Sequence, residues 1–254
     1  MRINKLITYF IIFFIVVLVS FNVVNNYIYV FAGSYEGFKK AIEEKEMQKI
    51  KTYIRSGYDV NWKDTSDEDY EQVSLLQIAV ETYEPKIVEL LLKNGADPNI
   101  ESTTHHKKGR WTSEFTSTTL PIELAIYDYN IVEETLHLLI EYGADVNKFT
   151  LDNRSSPLFA AVEAEDYHAV EVLLKSGANP NIINMYGYTP LMSSFKVYKP
   201  NITVLLLEYG ADPSIQSKET LNEGKTILEL HENSFERRYK CDSCAEKVLQ
   251  YIKE

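Results

Sequence analysis

The sequence predicts an all-α fold: a solenoid of about six helix-turn-helix units with extended finger loops, preceded by one hydrophobic N-terminal helix. Three observations predict it. The segment KNGADPNI at Lys93–Ile100 returns as EYGADVN at Glu141–Asn147, KSGANPNI at Lys175–Ile182 and EYGADPSI at Glu208–Ile215, with a fainter RSGYDVN at Arg55–Asn61. The glycines of these copies, Gly57, Gly95, Gly143, Gly177 and Gly210, stand 38, 48, 34 and 33 residues apart, the period of a repeat architecture. Ahead of the array, the nineteen residues Leu6–Val24 carry no charge.

The leader comes first in the chain. Nineteen helical residues reach roughly 28 Å, the thickness of a bilayer core. Residues 1–32 therefore read either as a transmembrane anchor or as a signal peptide cut after Val30-Phe31-Ala32. Arg2 and Lys5 precede the apolar run and stay on the cytoplasmic side, so either reading puts residues 33–254 on the non-cytoplasmic side, periplasmic or extracellular.

The units follow at approximately 36–73, 74–118, 119–155, 156–188, 189–225 and 226–254, the last a C-terminal cap. Twenty-one residues before Gly95, Gly177 and Gly210 stand Ser74 in SLLQIAV, Ser156 in SPLFAAV and Thr189 in TPLMSSF. LPIELAI at Leu120–Ile126 and EGFKKAI at Glu36–Ile42 fill the same place in the third and first units, and TILELHE at Thr226–Glu232 opens the sixth. Ser or Thr at this place caps a helix by accepting a bond from an orphan N–H. Pro121, Pro157 and Pro190 suit its first turn. The small Ala79, Ala125 and Ala161 let neighbouring helices approach closely. A second helix buries Ile87, Val88, Leu91 and Leu92 in one unit, and Val170, Leu173 and Leu174 in another. The glycine ends it in a left-handed conformation, and Ala-Asp-x-Asn opens a turn. No unit buries its apolar face alone; stacking does.

These residues resemble the ankyrin repeat, whose pattern is T-P-L-H-x-A, then a second helix ending in a leucine triplet, then G-A-D-x-N. The triplets Leu90-Leu91-Leu92 and Leu205-Leu206-Leu207 fall in register with the glycines. The resemblance runs from Glu36 to the C-terminus. There are departures. The family's His is Gln77, Glu123, Phe159, Met192 and Glu229 here, which weakens the expected polar ladder between repeats. The glycine between the two helices is Tyr83, Glu165 and Tyr198, which is expected to distort the inner turns.

The resemblance implies binding of another protein on the concave side, through finger tips and the ends of the inner helices. The matching positions include Tyr83, Tyr127, Tyr129, Tyr186, Tyr188 and Tyr198, with Glu81, Thr82, Glu163 and Lys196 beside them. Tyrosines give large contact area at small entropy cost. About half of these rings are expected at the surface, the rest packed against the next finger. Two fingers are long and oppositely charged: DTSDEDYE at Asp64–Glu71, and HHKKGRW with His105, Lys107, Lys108, Arg110 and Trp111. They either attract one another and set the second finger over the concave face, or lie apart as solvated loops.

Other chemistry is thin. A net charge of -11 argues against nucleic acid as partner, and there is no Gly-rich phosphate loop, G-x-S-x-G or H-E-x-x-H. No cofactor, metal or small-molecule substrate is expected, and His137 and His168 read as exposed helix residues. Cys241 and Cys244 form a C-x-x-C at the start of a last helix, a candidate disulfide in an oxidising compartment. The sequence thus reads as a non-enzymatic, exported or tethered module that scaffolds, sequesters or inhibits another protein. The alternative is a thiol-redox or redox-regulated protein acting through Cys241 and Cys244.

Overall fold

A computed structural model describes residues 34–63, 71–106, 115–127, 133–150, 155–196 and 199–216. The apolar leader, the charged finger tips, the sixth unit and the C-x-x-C lie outside these residues. No helix among the described residues is long and apolar enough to cross a membrane.

Five helix pairs follow in order: α1 (Tyr35–Glu43) with α2 (Met47–Arg55), α3 (Leu75–Glu81) with α4 (Pro85–Lys93), α5 (Pro121–Tyr127) with α6 (Glu133–Glu141), α7 (Pro157–Glu163) with α8 (Tyr167–Lys175), and α9 (Pro190–Lys196) with α10 (Pro200–Glu208). First helices pack on first helices in sequence, α1 on α3 on α5 on α7 on α9, so they form one continuous layer. Second helices form the layer behind, with α4 on α6 and α8 on α10. One apolar cluster runs through the stack, from Phe38 and Ile42 through Leu75, Leu91, Leu139 and Phe159 to Phe195 and Leu206. The close-approach position is Ala41, Ala79, Ala125, Ala161 and then Ser194, all buried. Ser194 stays satisfied there: its hydroxyl donates to the Leu191 carbonyl at 2.7 Å and lies 2.9 Å from Thr203 Oγ1.

Several helix ends have an identifiable chemical cause. Ser74 and Gln77 form a reciprocal capping box at the start of α3, and Thr189 Oγ1 accepts from the Met192 N–H at 3.2 Å. Ser156 has cap backbone geometry, but its hydroxyl finds no hydrogen-bond partner among the described residues, so there the start rests on Pro157 at the first helical position. At the other end, Gly177 has φ +90°, its N–H donates to Leu174 O at 3.1 Å, and the Ala178 N–H donates to Leu173 O at 3.0 Å. This is the double-bonded left-handed cap that the glycine spacing predicts.

One expectation about departures from the repeat pattern is corrected. Among the described residues the inner turns are not distorted: Tyr83 and Glu165, and Lys45 in the first pair, hold φ of +58°, +59° and +58°, the left-handed angle a glycine would take; the turn at Tyr198 lies outside the described residues. They accept backbone strain and keep the geometry, with Glu165 N–H on Val162 O and Asp166 N–H on Ala161 O, both at 3.1 Å. Asparagines of the finger turns, not the positions of the replaced histidine, carry a polar ladder between repeats. Asn61, Asn99, Asn147 and Asn181 donate through Nδ2 to the carbonyls of Gly95, Gly143, Gly177 and Gly210 in the next repeat, at 2.9–3.0 Å. Their Oδ1 atoms accept from the N–H of Asp97, Asp145, Asn179 and Asp212, each at 2.7 Å. Each of those Asx side chains in turn accepts from the N–H two residues on, as Asp97 does from Asn99 at 2.8 Å. Ser214 holds the place of the next asparagine, and its N–H still bonds Asp212 at 2.8 Å.

The all-α expectation needs one amendment. Three strands, β1 (Glu71–Gln72), β2 (Ser102–His106) and β3 (Phe115–Thr119), form an antiparallel sheet in that order. Register runs Ser102↔Thr119 to His106↔Phe115 across the β2–β3 hairpin, and Glu71↔Thr104 with Gln72↔Thr103 across β1–β2. The long insertion of the second finger is thus a β-hairpin, joined by the returning limb of the first finger. The signal was present: Thr103, Thr104, Thr116, Thr118 and Thr119 are β-branched residues that favour a pleated strand over a loop.

Candidate functional site

The first-helix layer opens into a cleft of about 540 Å³ between the first two repeats. Lys39, Glu43 and Lys45 line one side; Val73, Ile78, Glu81, Thr82 and Tyr83 line the other. Lys45 and Tyr83, the positive-φ residues of the turns that follow α1 and α3, both line it. Its walls carry both signs of charge over an apolar floor of Val73 and Ile78. That composition suits a peptide or loop bearing mixed side chains better than a bare hydrophobic ligand. Tyr83 is 40% exposed at the rim.

The finger sheet is fixed beside this cleft by the residue that replaces the family's histidine. Gln77 is wholly buried. Its Nε2 donates to the Thr119 carbonyl at 2.8 Å, and its Oε1 accepts from the Ser102 hydroxyl. Ser102 and Thr119 are the pair that closes the base of the hairpin. One side chain on α3 therefore holds both strands where they leave the stack. Two lysines brace the same base: Lys63 Nζ donates to the Glu101 carbonyl, and Lys148 Nζ reaches Asn99 O at 2.7 Å and the buried Glu101 carboxylate at 3.2 Å. The two long fingers meet through backbone strand pairing; the charged stretches expected to attract one another, Asp64–Tyr70 and Lys107–Glu114, lie outside the described residues.

The sequence-predicted contact residues separate as follows. Tyr83 and Tyr186 are exposed, the latter at 48% beside Met185 at 56%. The finger carrying Tyr186 is held by Asn184, whose Oδ1 accepts from the N–H of both Tyr186 and Tyr188 at 3.1 Å. Tyr188 is not a surface residue: it is 8% exposed and belongs to the core, which the return of the finger to the stack requires. His105 lies in β2 and Tyr127 ends α5. Tyr129, Tyr198, Lys107, Lys108, Arg110 and Trp111, and the pair Cys241 and Cys244, lie outside the described residues. Sequence reasoning missed the aromatic cap of the first repeat. There Tyr35 stacks on Trp62 with ring centres 4.7 Å apart and Phe38 stacks on Tyr53 at 4.9 Å. The density of rings in the first unit was its signal.

Comparison with known proteins agrees with this geometry. The family profile described as "Ankyrin repeats (3 copies)" matches residues 122–217, and that described as "Ankyrin repeat" matches residues 73–103. An ankyrin repeat protein of Fowlpox virus (strain NVSL), FPV031, is 32% identical over 159 residues, which is 62% of this chain and 42% of that protein. Ankyrin repeat and SOCS box protein 5 of Oryctolagus cuniculus is 37% identical over 88 residues, 35% of this chain and 26% of that one. The chain thus spans less than half the length of these relatives. Among solved structures, an ankyrin repeat domain from Acinetobacter baumannii AYE superposes with a TM-score of 0.65, covering 86% of this chain and 99% of that domain at 20% identity.

Proposed function

The chain belongs to the ankyrin-repeat family, and from that premise we propose that it is a protein-interaction module that scaffolds, sequesters or inhibits a partner through its first-helix face. The observation that carries the reading is the cleft between the first two repeats, rimmed by Tyr83 and flanked by a finger sheet that Gln77 clamps in place. A rigid frame with an exposed aromatic at its edge is the arrangement that spends least entropy on binding. Tyr186 extends the same contact surface to the fourth finger. Export or tethering through Leu6–Val24 belongs to the proposal and rests on the uncharged length of that run.

The test compares full-length chain with two double variants in capture from extract of the source. Tyr83→Ala with Tyr186→Ala removes the proposed contacts; Lys93→Ala with Lys175→Ala alters the second-helix layer. A partner held by the parent and by the lysine variant, and lost at least about ten-fold by the tyrosine variant, supports the reading. Loss on the lysine variant alone contradicts it. Intact mass in the membrane and soluble fractions checks the leader: a full-length soluble species contradicts tethering and export together.

A further inference from the structure

We infer that Glu133, His137 and His168 form a binding site for a divalent transition-metal ion, of the borderline-soft class that Zn²⁺ represents, strapping the second helices of the third and fourth repeats. Along the chain these residues look unrelated. Glu133 and His137 are one turn apart on α6, and His168 lies on α8 in the next repeat. Stacking brings them together on the outer surface. His168 Nε2 is 2.7 Å from Glu133 Oε1, and His137 Nε2 is 3.4 Å from the same oxygen. One ligand atom from each of the three lies within 4.8 Å of the others.

Metal chemistry makes specific demands, and the cluster meets them. Zinc takes imidazole nitrogen at about 2.0–2.1 Å and carboxylate oxygen at about 2.0–2.2 Å, so its tetrahedral ligands stand about 3.3 Å apart. The observed spacing needs only side-chain rotation to reach this. Two imidazoles with one carboxylate, and a fourth position open to water, select ions that favour nitrogen over those that want only oxygen, such as Mg²⁺ and Ca²⁺. A carboxylate also stands near the other ring nitrogen: Glu171 Oε2 is 3.9 Å from His168 Nδ1, on the same helix, and Glu171 Oε1 pairs with Lys175 at 2.9 Å. Closing that gap by side-chain rotation would let the carboxylate orient the ring, the arrangement that supports metal-bound histidines generally. All three ligands are more than half exposed, so an ion reaches them from solvent without any opening of the fold. Bound metal would replace the hydrogen bond between Glu133 and His168 by a link between two repeats, and so resist their separation.

The test uses the full chain as Cys241→Ser with Cys244→Ser, so that thiols do not compete for metal, titrated with Zn²⁺ by calorimetry at neutral pH. The expected result is one equivalent of Zn²⁺ that disappears in His168→Ala and in His137→Ala. Glu171→Gln is expected to weaken it about ten-fold, and Mg²⁺ gives no heat. Because these side chains are exposed, circular dichroism of each variant is expected to match the parent. Zn²⁺ uptake that survives His168→Ala unchanged, or a parent that takes up none, overturns the site. Neither result bears on partner binding by the first-helix face, which lies on the opposite layer.

Discussion

Single residues show where this chain obeys the repeat pattern and where it stores strain. Gly177 occupies a left-handed position in open space, where an added side-chain carbon would meet nothing within 4 Å. Gly177→Ala is therefore expected to destabilise through backbone conformation alone, by about 1–2 kcal/mol, read as a lower urea midpoint. Glu165 sits in the same left-handed region without a glycine's freedom, at φ +59°. Its ion pair with Lys199, at 2.7 Å, is exposed and contributes little. Glu165→Gly should then stabilise the protein by about 0.5–1 kcal/mol, the relief of strain less the entropy glycine brings to the unfolded chain. A titrating residue marks the end of the ladder. The hydroxyl and then the backbone N–H of Ser214 hold the Asp212 carboxyl below its ordinary value of 3.8. A depressed acid stabilises the fold above its unfolded pKa and loses that contribution as pH falls through the folded one. The Ser214 amide signal is thus expected to move below about pH 4 as the turn loosens, and to stay still in Asp212→Asn, since Asn179 makes the same turn with an uncharged oxygen.

Elements explain what was legible in the sequence and what was not. The helix pairs were readable because their causes are local: a cap, a proline, an apolar stripe and a glycine at fixed spacing. The asparagine ladder was read only in part. A turn at Ala-Asp-x-Asn follows from short polar side chains, but the bond to the next repeat's glycine carbonyl needs a neighbour the sequence does not display. The hairpin was missed for a different reason: its threonine-rich strands are a local signal, but they lie in an insertion that a helical period leaves blank. Gln77 shows the limit most clearly. As a departure from T-P-L-H it reads as a loss, yet its amide joins α3 to both strands. Gln77→Ala removes the donor to the Thr119 carbonyl and the acceptor of the Ser102 hydroxyl, which keeps its bond from the Ser74 N–H, and is expected to cost about 2 kcal/mol. Hydrogen exchange should accelerate in Thr103–His106 and Thr116–Thr119 while α7 and α8 keep their rates. Uniform acceleration across all pairs would show that Gln77 serves the stack and not the fingers. Of the candidate contact tyrosines, Tyr83 and Tyr186 lie at the surface and Tyr188 in the core, a division the sequence does not display because exposure on a finger alternates with the return of the chain to the core.

At the scale of the molecule, the described residues form a stack whose units couple to their neighbours through one apolar spine and one polar ladder. Shape and surface are then what it offers, and the two layers offer different things: a charged cleft with an aromatic rim on the first-helix side, a histidine–carboxylate cluster on the second. The central claim is that a partner is held by the former. It is tested most directly by placing a photo-crosslinking phenylalanine analogue in the full-length chain, at Tyr83 in one preparation and at Lys93 in another, and irradiating each with the captured partner. A covalent adduct from position 83 and none from position 93 is the result expected. An adduct from position 93 with none from position 83 would place the partner on the wrong layer and contradict the account.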